Sequence, residues 1–149
     1  MMKLKNVLSV EAVSTQLKGN TKVEIINELL DVLVSCKKVS DRATAFADLM
    51  ERERKMSTGI QHGVAIPHAK TTSVSDLAAC IGIKKEGMDF QALDGEPCRI
   101  FIMALSPMDQ VGLHVQFLAD ISRVIKNGEA RQQLLEATSA QEILEVFGL

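Results

Sequence analysis

The sequence contains no tryptophan and no tyrosine, and only five phenylalanines among its 149 residues. Proteins that hold single-stranded nucleic acid stack bases on aromatic side chains and follow the backbone with a positively charged groove. Here the formal net charge is −2, and basic residues are interleaved with acidic ones along the chain. The composition therefore argues against nucleic acid as a partner.

Cysteine is also scarce, and Cys36, Cys80 and Cys98 lie far apart in the sequence. An odd number of widely spaced cysteines in apolar runs indicates reduced thiols and not a disulfide framework. The sequence contains no Cys-x-x-Cys pair and no His-x-x-x-His pair, which are common spacings of metal ligands. These features favour a reducing compartment and give little support to a metal site.

Long hydrophobic runs are absent as well, since no apolar segment approaches the roughly 20 residues that a membrane span needs. Two lysines lie near the start of the chain, but Glu11 interrupts any hydrophobic segment of a signal peptide. With 46% apolar and 24% charged residues, the chain has the composition of one globular domain. We therefore expect a single domain over residues 1–149, soluble and cytoplasmic, without insertion into a membrane.

Two amphipathic helices are predicted in the first third of the chain. Thr21 and Glu24 have the spacing of a capping box, and apolar residues recur at helical spacing over residues 22–36. Ser40 or Asp41 is expected to cap the next helix. The apolar face predicted for that second helix consists of Ala43, Phe46, Ala47 and Met50.

Strand signals dominate the middle of the chain, and the apolar run at residues 99–105 is the strongest of them. Spacing alone indicates a single α/β or α+β domain. The predicted strands cover residues 64–66, 77–83, 88–90 and 99–105, with a turn at 84–87. The further predicted helices cover residues 10–17, 113–126, 129–137 and 140–147.

Two of the three histidines, His62 and His68, lie in the short segment 57–70. Pro67 fixes its own φ and pushes Ile66 into an extended conformation, so His68 follows the strand at a fixed angle. Its small neighbours leave it open to another macromolecule, which suits a nucleophile. On its own, however, a histidine after a strand is most often an ordinary loop residue.

Residues 57–68 (Ser-Thr-Gly-Ile-Gln-His-Gly-Val-Ala-Ile-Pro-His) closely resemble a family signature, Ser-Thr-Gly-Ile-Gly-x-Gly-Ile-Ala-Ile-Pro-His. It belongs to the enzyme IIA domains of the fructose–mannitol class, in the phosphoenolpyruvate-dependent sugar phosphotransferase system. The class includes a nitrogen-regulatory branch. The resemblance implies that His68 carries a phosphoryl group. It also implies an α/β fold, a mixed sheet of about five strands flanked by helices on both sides.

The charge run at residues 51–55 precedes this signature, and on its own such a run is a solvated helix end. In the family, the arginine of an Arg-Glu pair lies sixteen residues before the phosphorylated histidine. That spacing selects Arg52, with Arg54 as the alternative. A guanidinium group can hold two phosphate oxygens and keeps its charge, which suits a phosphate-binding role.

His114 opens the segment His-Val-Gln-Phe-Leu-Ala-Asp-Ile-Ser, which resembles the family's His-Leu-x-x-Leu-Ala-x-Leu-Ser. On its own, it is a histidine on a helix surface. It lies in the first turn of a predicted helix, where unpaired N–H groups attract anions. The resemblance implies that His114 lines the active site and helps to position the phosphoryl group. His62 falls in a variable slot of the signature, and we expect it to be a loop residue near the site.

The resemblance implies that His68 takes a phosphoryl group from the histidine phosphocarrier protein and passes it to a IIB component. Such transfer depends mainly on positioning and charge stabilisation, by Arg52 and His114 here. Ser57 and Thr58 are candidate hydroxyl donors to the phosphate, although turn and capping chemistry explains Ser-Thr-Gly equally well. No metal or organic cofactor is required.

Two alternatives remain open. A regulatory protein of the nitrogen-regulatory kind would keep His68, and its phosphorylation state would control binding to a target protein. A metal protein using the three histidines is a weaker hypothesis. Because no IIB or IIC segment accompanies this domain, we expect a stand-alone IIA protein, whose sugar, if it has one, cannot be deduced from the sequence.

Overall fold

The computed structural model describes residues 4–149, and its centre is one mixed β-sheet. The strand order is β1-β4-β5-β2, and β3 pairs with β5 as well. β4 and β5 are antiparallel, whereas β1 runs parallel to β4 and both β2 and β3 run parallel to β5. The strands are β1 Val13–Ser14, β2 Val64–Ala65, β3 His68–Lys70, β4 Ala78–Met88 and β5 Cys98–Ser106.

Within the described residues 4–149, five α-helices cover the two faces of this sheet. Helices α1 and α2 pack on one face, and α3, α4 and α5 contribute to the apolar cluster on the other. The predicted fold, a mixed sheet of five strands with helices on both faces, is therefore confirmed. Within residues 4–149, every helix is too short or too polar to cross a bilayer. The helices are α1 Lys22–Ser35, α2 Arg42–Lys55, α3 Val111–Ile125, α4 Gly128–Glu136 and α5 Ala140–Val146.

Strand β5 lies at the centre of the core. Its seven consecutive residues from Ile100 to Ser106 are all buried. Phe101, Met103 and Leu105 belong to the cluster beneath α1 and α2. The alternate residues Ile102 and Ala104 belong to the opposite cluster. A strand that is buried on both faces gives a continuous apolar run. That is why the sequence predicts β5 more strongly than any other strand.

The two predicted helix starts are confirmed. The Thr21 side chain accepts a hydrogen bond from the Glu24 N–H at 3.2 Å, and the Glu24 carboxylate accepts from the Thr21 N–H, which completes the capping box. Asp41, and not Ser40, caps α2 by accepting from the Thr44 N–H at 3.1 Å. Each cap satisfies N–H groups that the helix itself leaves without partners.

The predicted apolar face of α2 was wrong in part. Ala43 and Ala47 are exposed, and Phe46 and Met50 are only half-buried. The buried residues of α2 are spaced at i, i+4 and i+8, and the third of them is a glutamate. Apolar residues alone therefore indicate the wrong face of this helix. The side chains that α2 buries are Ala45, Leu49 and Glu53.

The helix predicted over residues 10–17 was also wrong. Only Val10–Ala12 is helical, as one 3₁₀ turn, and Val13–Ser14 forms β1. The chain stays alongside β4 beyond this strand, because the Leu17 N–H donates to the Ile83 carbonyl at 2.8 Å. Pairing with a buried strand has overridden the local helical pattern here.

The turn predicted at residues 84–87 and the strand predicted at 88–90 are replaced by one long strand, β4, which continues to Met88. Its register with β5 is interrupted between Ile83 and Met88, which is a β-bulge or a similar irregularity. Lys84 lies inside this strand with its side chain 3% exposed, and pairs with Glu86 at 3.0 Å. A glycine and paired charges therefore belong to a bulged strand and not to a turn.

Strand β3 was not predicted, since the sequence placed His68 beyond the end of a strand. In the structure β2 and β3 pair one after the other with the same edge of β5, and Ile66 and Pro67 link them. Pro67 has no N–H to donate, but its carbonyl accepts from the Ala104 N–H at 3.0 Å. His68 is therefore anchored in the sheet rather than in a loop.

We expect Thr21→Ala to lower the free energy of unfolding by about 1 kcal/mol, because it removes the acceptor for the Glu24 N–H. Urea unfolding measures the change. Thr21→Ser keeps the hydroxyl and is the matched control, with stability close to that of the wild type. Equal losses in both variants would show that the cap contributes nothing.

Candidate active site

The fold brings together two histidines that are 46 residues apart in the sequence. His68 begins β3 opposite Ala104 of β5, and His114 lies in the first turns of α3, which packs against β5. The centroids of the two imidazole rings are 5.3 Å apart, and the ring planes are inclined by 48°. A group bound to one ring would therefore lie within reach of the other.

The orientation of the His68 ring is fixed by its own segment of chain. Its Nδ1 lies 2.7 Å from the Ile66 carbonyl oxygen. A carbonyl oxygen can only accept, so Nδ1 carries the hydrogen. In the neutral ring the lone pair that can act as a nucleophile is then on Nε2.

Burial lowers the pKa of His68 below its ordinary value, and the positive charge of Arg52 lowers it further. The hydrogen bond to Ile66 and the carboxylate of Glu53 act in the opposite direction. Because the net change is downward, the ring is mostly neutral at pH 7. It therefore keeps its Nε2 lone pair near neutral pH.

His114 is buried, with 7% of its surface exposed, so it is not the helix-surface residue that the sequence alone favours. Its Nδ1 lies 2.5 Å from the hydroxyl oxygen of Ser106. Burial lowers the pKa of His114 to about 4, and the charge of His68, when it is protonated, and the charge of Lys70 add to the effect. The helix starts at Val111, two residues before the predicted start, and the His114 N–H donates to the Gln110 carbonyl at 3.2 Å.

The two candidate arginines have different surroundings. Arg52 is half-buried, and its Nη1 donates to the Met56 carbonyl at 2.9 Å just past the end of α2. Its charge acts on the pKa of His68. Arg54 pairs with Glu51 at 2.7 Å, and its side chain is 70% exposed. The electrostatics therefore favour Arg52 over Arg54 as the candidate phosphate-binding arginine.

A buried carboxylate, which sequence reasoning missed, ties α2 to the segment before His68. Glu53 accepts from the Thr58 N–H at 2.9 Å and from the Thr58 hydroxyl at 2.7 Å, and it pairs with Lys22 at 3.0 Å. The Thr58 carbonyl in turn accepts from the Ile66 N–H at 3.1 Å. Hydrogen bonds therefore run without a break from Glu53 through Thr58 and Ile66 to the ring of His68. The Arg-Glu pair ahead of the signature was the one sequence signal that included Glu53.

The hydroxyl groups of Ser57 and Thr58 already have acceptors. Thr58 donates to Glu53, and Ser57 donates to the Phe90 carbonyl over a longer distance of 3.4 Å. The Ser57 oxygen also accepts from the Gly59 N–H at 3.1 Å, which is the local bond of a serine turn. The Ser57 hydroxyl therefore has the turn-forming role that the sequence suggests. Binding of phosphate by the Ser57 and Thr58 hydroxyls stays a prediction.

His62 lies in a turn close to the site, with its backbone in the left-handed region at φ 60°. It lines an open pocket of about 190 Å³, whose lining also includes Ile66, Ser122 of α3 and Lys126, which follows α3. Among residues 4–149, no three His, Cys, Asp or Glu side chains lie close enough together to hold a metal ion. All three cysteines are free thiols.

The chain matches a known protein family over nearly its whole length. The model of the family described as "Phosphoenolpyruvate-dependent sugar phosphotransferase system, EIIA 2" matches residues 6–148. The fructose-specific EIIA component of Haloferax volcanii is 36% identical over 144 residues, which cover 97% of this chain and 94% of that protein. A nitrogen regulatory protein of Bradyrhizobium diazoefficiens is 28% identical over 148 residues, or 99% of this chain and 96% of that protein.

Some relatives are much longer than this chain. It is 34% identical over 146 residues to the fructose-specific EIIABC component of Bacillus subtilis; the match covers 98% of this chain but only 23% of that protein. The family assignment therefore applies to the IIA portion of such proteins.

Solved structures share the fold. The nitrogen regulatory protein IIA-Ntr from Neisseria meningitidis superposes with a TM-score of 0.90 at 24% identity, covering 97% of this chain and 98% of that one. IIA mannitol from Escherichia coli superposes with a TM-score of 0.82 at 21% identity, covering 94% of this chain and 98% of that one. Sequence and fold agree, and the chain belongs to the EIIA 2 family of the phosphoenolpyruvate-dependent sugar phosphotransferase system.

Proposed function

We propose that this chain is a phosphoryl carrier, in which His68 accepts a phosphoryl group from the histidine phosphocarrier protein and passes it to a IIB component. The observation that carries the proposal is the hydrogen bond from His68 Nδ1 to the Ile66 carbonyl, which leaves the Nε2 lone pair free. Nε2 attacks phosphorus and a new N–P bond forms. The bond to the donor's histidine breaks, and the donor nitrogen keeps the electron pair.

Stabilisation of charge is the task of the groups around His68. In phosphoryl transfer, negative charge spreads over three oxygens, and catalysis is mainly positioning and electrostatics. Arg52 already exerts its charge on His68, and its planar fork can hold two oxygens. The ring of His114 lies 5.3 Å from that of His68 and would contact a phosphoryl group bound there. We assign transition-state stabilisation to these two residues.

Ser57 and Thr58 remain candidates for hydroxyl donors to the phosphoryl oxygens. To donate, Thr58 would give up a 2.7 Å bond to the buried carboxylate of Glu53, whereas Ser57 would give up a 3.4 Å bond to the Phe90 carbonyl. The longer bond is the weaker one. Ser57 is therefore the easier of the two to recruit, and Thr58 contributes through the loop that it holds in place.

The proposed partners follow from the family and from one solved complex. A structure of E. coli enzyme IIAMTL with phosphorylated enzyme IIBMTL superposes on this chain with a TM-score of 0.82 at 20% identity, covering 95% of this chain and 96% of that one. This likeness supports a IIB component as the acceptor. The histidine phosphocarrier protein is the donor expected for the family. We propose that the reaction takes place in the cytoplasm and needs no metal or organic cofactor.

A regulatory role is the second candidate function. It is supported by the similarity to a nitrogen regulatory protein over 99% of the chain and by the fold match to IIA-Ntr. In that case the phosphorylation state of His68 would control binding to a target protein. A chase of phosphorylated protein with a IIB component separates the two roles, since only the carrier loses its phosphoryl group rapidly to IIB.

Intact mass after incubation with phosphoenolpyruvate, enzyme I and the phosphocarrier tests the proposal. We expect the wild type to gain about 80 Da, the mass of one phosphoryl group, in an acid-labile form. His68→Ala should gain nothing. His62→Ala, which removes a histidine from the neighbouring turn, is the matched control and should behave as the wild type. If a relay that phosphorylates another IIA protein leaves the wild type unchanged, the proposal is wrong.

A comparison of Arg52→Gln with Arg54→Gln tests the choice of arginine. Loss of the Arg52 charge should slow phosphorylation of His68 at least tenfold, in line with the 10³–10⁵ that an arginine contributes in other phosphoryl transfers. It should also raise the pKa of His68, measured by NMR in the unphosphorylated protein, because a nearby cation disfavours imidazolium. Arg54→Gln should leave both quantities near wild type, and the reverse pattern would assign the role to Arg54.

A further inference from the structure

Ser106 is a buried polar residue that has no assigned role in the proposed transfer. It is the last residue of β5 and is fully buried. In the sheet it lies opposite Lys70 of β3, and its carbonyl accepts from the Thr71 N–H at 2.9 Å. Its backbone is therefore held firmly, two residues beyond Ala104, which is the partner of His68 in the same ladder. Residues two apart on a strand share a face, so Ser106 and His68 are directed to the same side of the sheet.

The hydroxyl hydrogen of Ser106 has one available acceptor. Among the described residues, the only polar atom in hydrogen-bond contact with its Oγ is Nδ1 of His114, at 2.5 Å. A buried hydroxyl hydrogen without an acceptor is strongly unfavourable, and every buried side-chain polar atom in the described residues has a partner. Ser106 must therefore donate, and His114 Nδ1 must accept.

An acceptor nitrogen in a neutral imidazole leaves the other nitrogen protonated. His114 is neutral at pH 7, because burial lowers its pKa to about 4, and the charge of His68 when protonated and that of Lys70 act in the same direction. Its single hydrogen is therefore on Nε2. His68 holds the opposite form, with its hydrogen on Nδ1 and its lone pair on Nε2.

We infer that Ser106 is a positioning residue, which fixes His114 in the Nε2–H form so that this ring donates a hydrogen bond to the phosphoryl group on His68. The inference rests on the proposed function of His68. The two rings then have complementary roles, since one offers a lone pair to phosphorus and the other offers an N–H to an oxygen. In the opposite form, His114 would present a lone pair to the negatively charged oxygens and repel them.

The ring hydrogens can be located without any transfer reaction. We expect ¹⁵N NMR of unphosphorylated wild-type protein to show His114 protonated on Nε2 and His68 protonated on Nδ1. In Ser106→Ala, His114 should become a mixture of the two forms. Ser73→Ala is the matched control, because Ser73 is a buried hydroxyl whose partner is Thr71, and it should leave both rings unchanged.

The phosphorylation rate then links this arrangement to function. Ser106→Ala should slow phosphorylation about fivefold, which corresponds to the loss of one ordinary hydrogen bond. His114→Gln keeps an N–H at the position of Nε2 and should stay within about threefold of the wild type, whereas His114→Ala should lose at least tenfold. In the His114→Gln background, Ser106→Ala should have no further effect, because Ser106 acts through His114.

The outcomes separate the inference from the function on which it rests. His114 protonated on Nδ1 in the wild type would overturn the inference, and that measurement needs no variant to fold. A full effect of Ser106→Ala in the His114→Gln background would overturn it as well. Absence of phosphorylation of the wild type would overturn the proposed function itself, whatever the positions of the ring hydrogens.

Discussion

The hydrogen bond between His68 Nδ1 and the Ile66 carbonyl is the interaction on which the rest of the site depends. It exists because the chain makes two short pairings with β5, separated by Ile66 and Pro67. Pro67 favours an extended conformation at the residue before it, and its own carbonyl is held by the Ala104 N–H. The carbonyl of Ile66 is thereby free to accept the hydrogen bond from the His68 imidazole. Under the proposed function, the sheet thus decides which nitrogen of His68 would be the nucleophile.

Burial of charge is the cost of this arrangement, and Glu53 shows how it is offset. A carboxylate with 3% of its side chain exposed is unfavourable unless it is paired and hydrogen-bonded. Here Lys22 and two groups of Thr58 supply the partners. In return, the end of α2, which carries Arg52, is tied to the segment that leads to His68. The end of α2 and the ring of His68 are therefore linked by one connected set of hydrogen bonds.

Sequence patterns could predict those parts of the structure in which local and global preferences agree. The capping box of α1 and the buried strand β5 were confirmed because a cap and an apolar run have the same meaning in most contexts. Strand β3 could not be predicted, since His-Ala-Lys has no strand pattern and is extended only because β5 accepts it as a partner. The continuation of β4 through Lys84 was missed because charges and glycine usually indicate a turn.

The candidate site likewise contains some residues that the sequence indicated and others that only the structure revealed. His68, His114 and Arg52 were selected by resemblance, and the structure gives the distances and charges around them. Glu53 and Ser106 were not selected, because a glutamate in a charge run and a serine before a proline are usually solvent-exposed or turn residues. Their partners lie in other parts of the chain, Lys22 for Glu53 and His114 for Ser106. Only the fold shows that these polar groups are buried and paired.

The central claim is that the backbone carbonyl of Ile66 directs phosphorylation to one nitrogen of His68. The most direct test is to phosphorylate uniformly ¹⁵N-labelled protein and to identify the phosphorylated ring nitrogen by ¹⁵N and ³¹P NMR. We predict a phosphoryl group on Nε2, with Nδ1 still protonated and hydrogen-bonded. A phosphoryl group on Nδ1 would contradict the account, because it requires that the bond to Ile66 be broken.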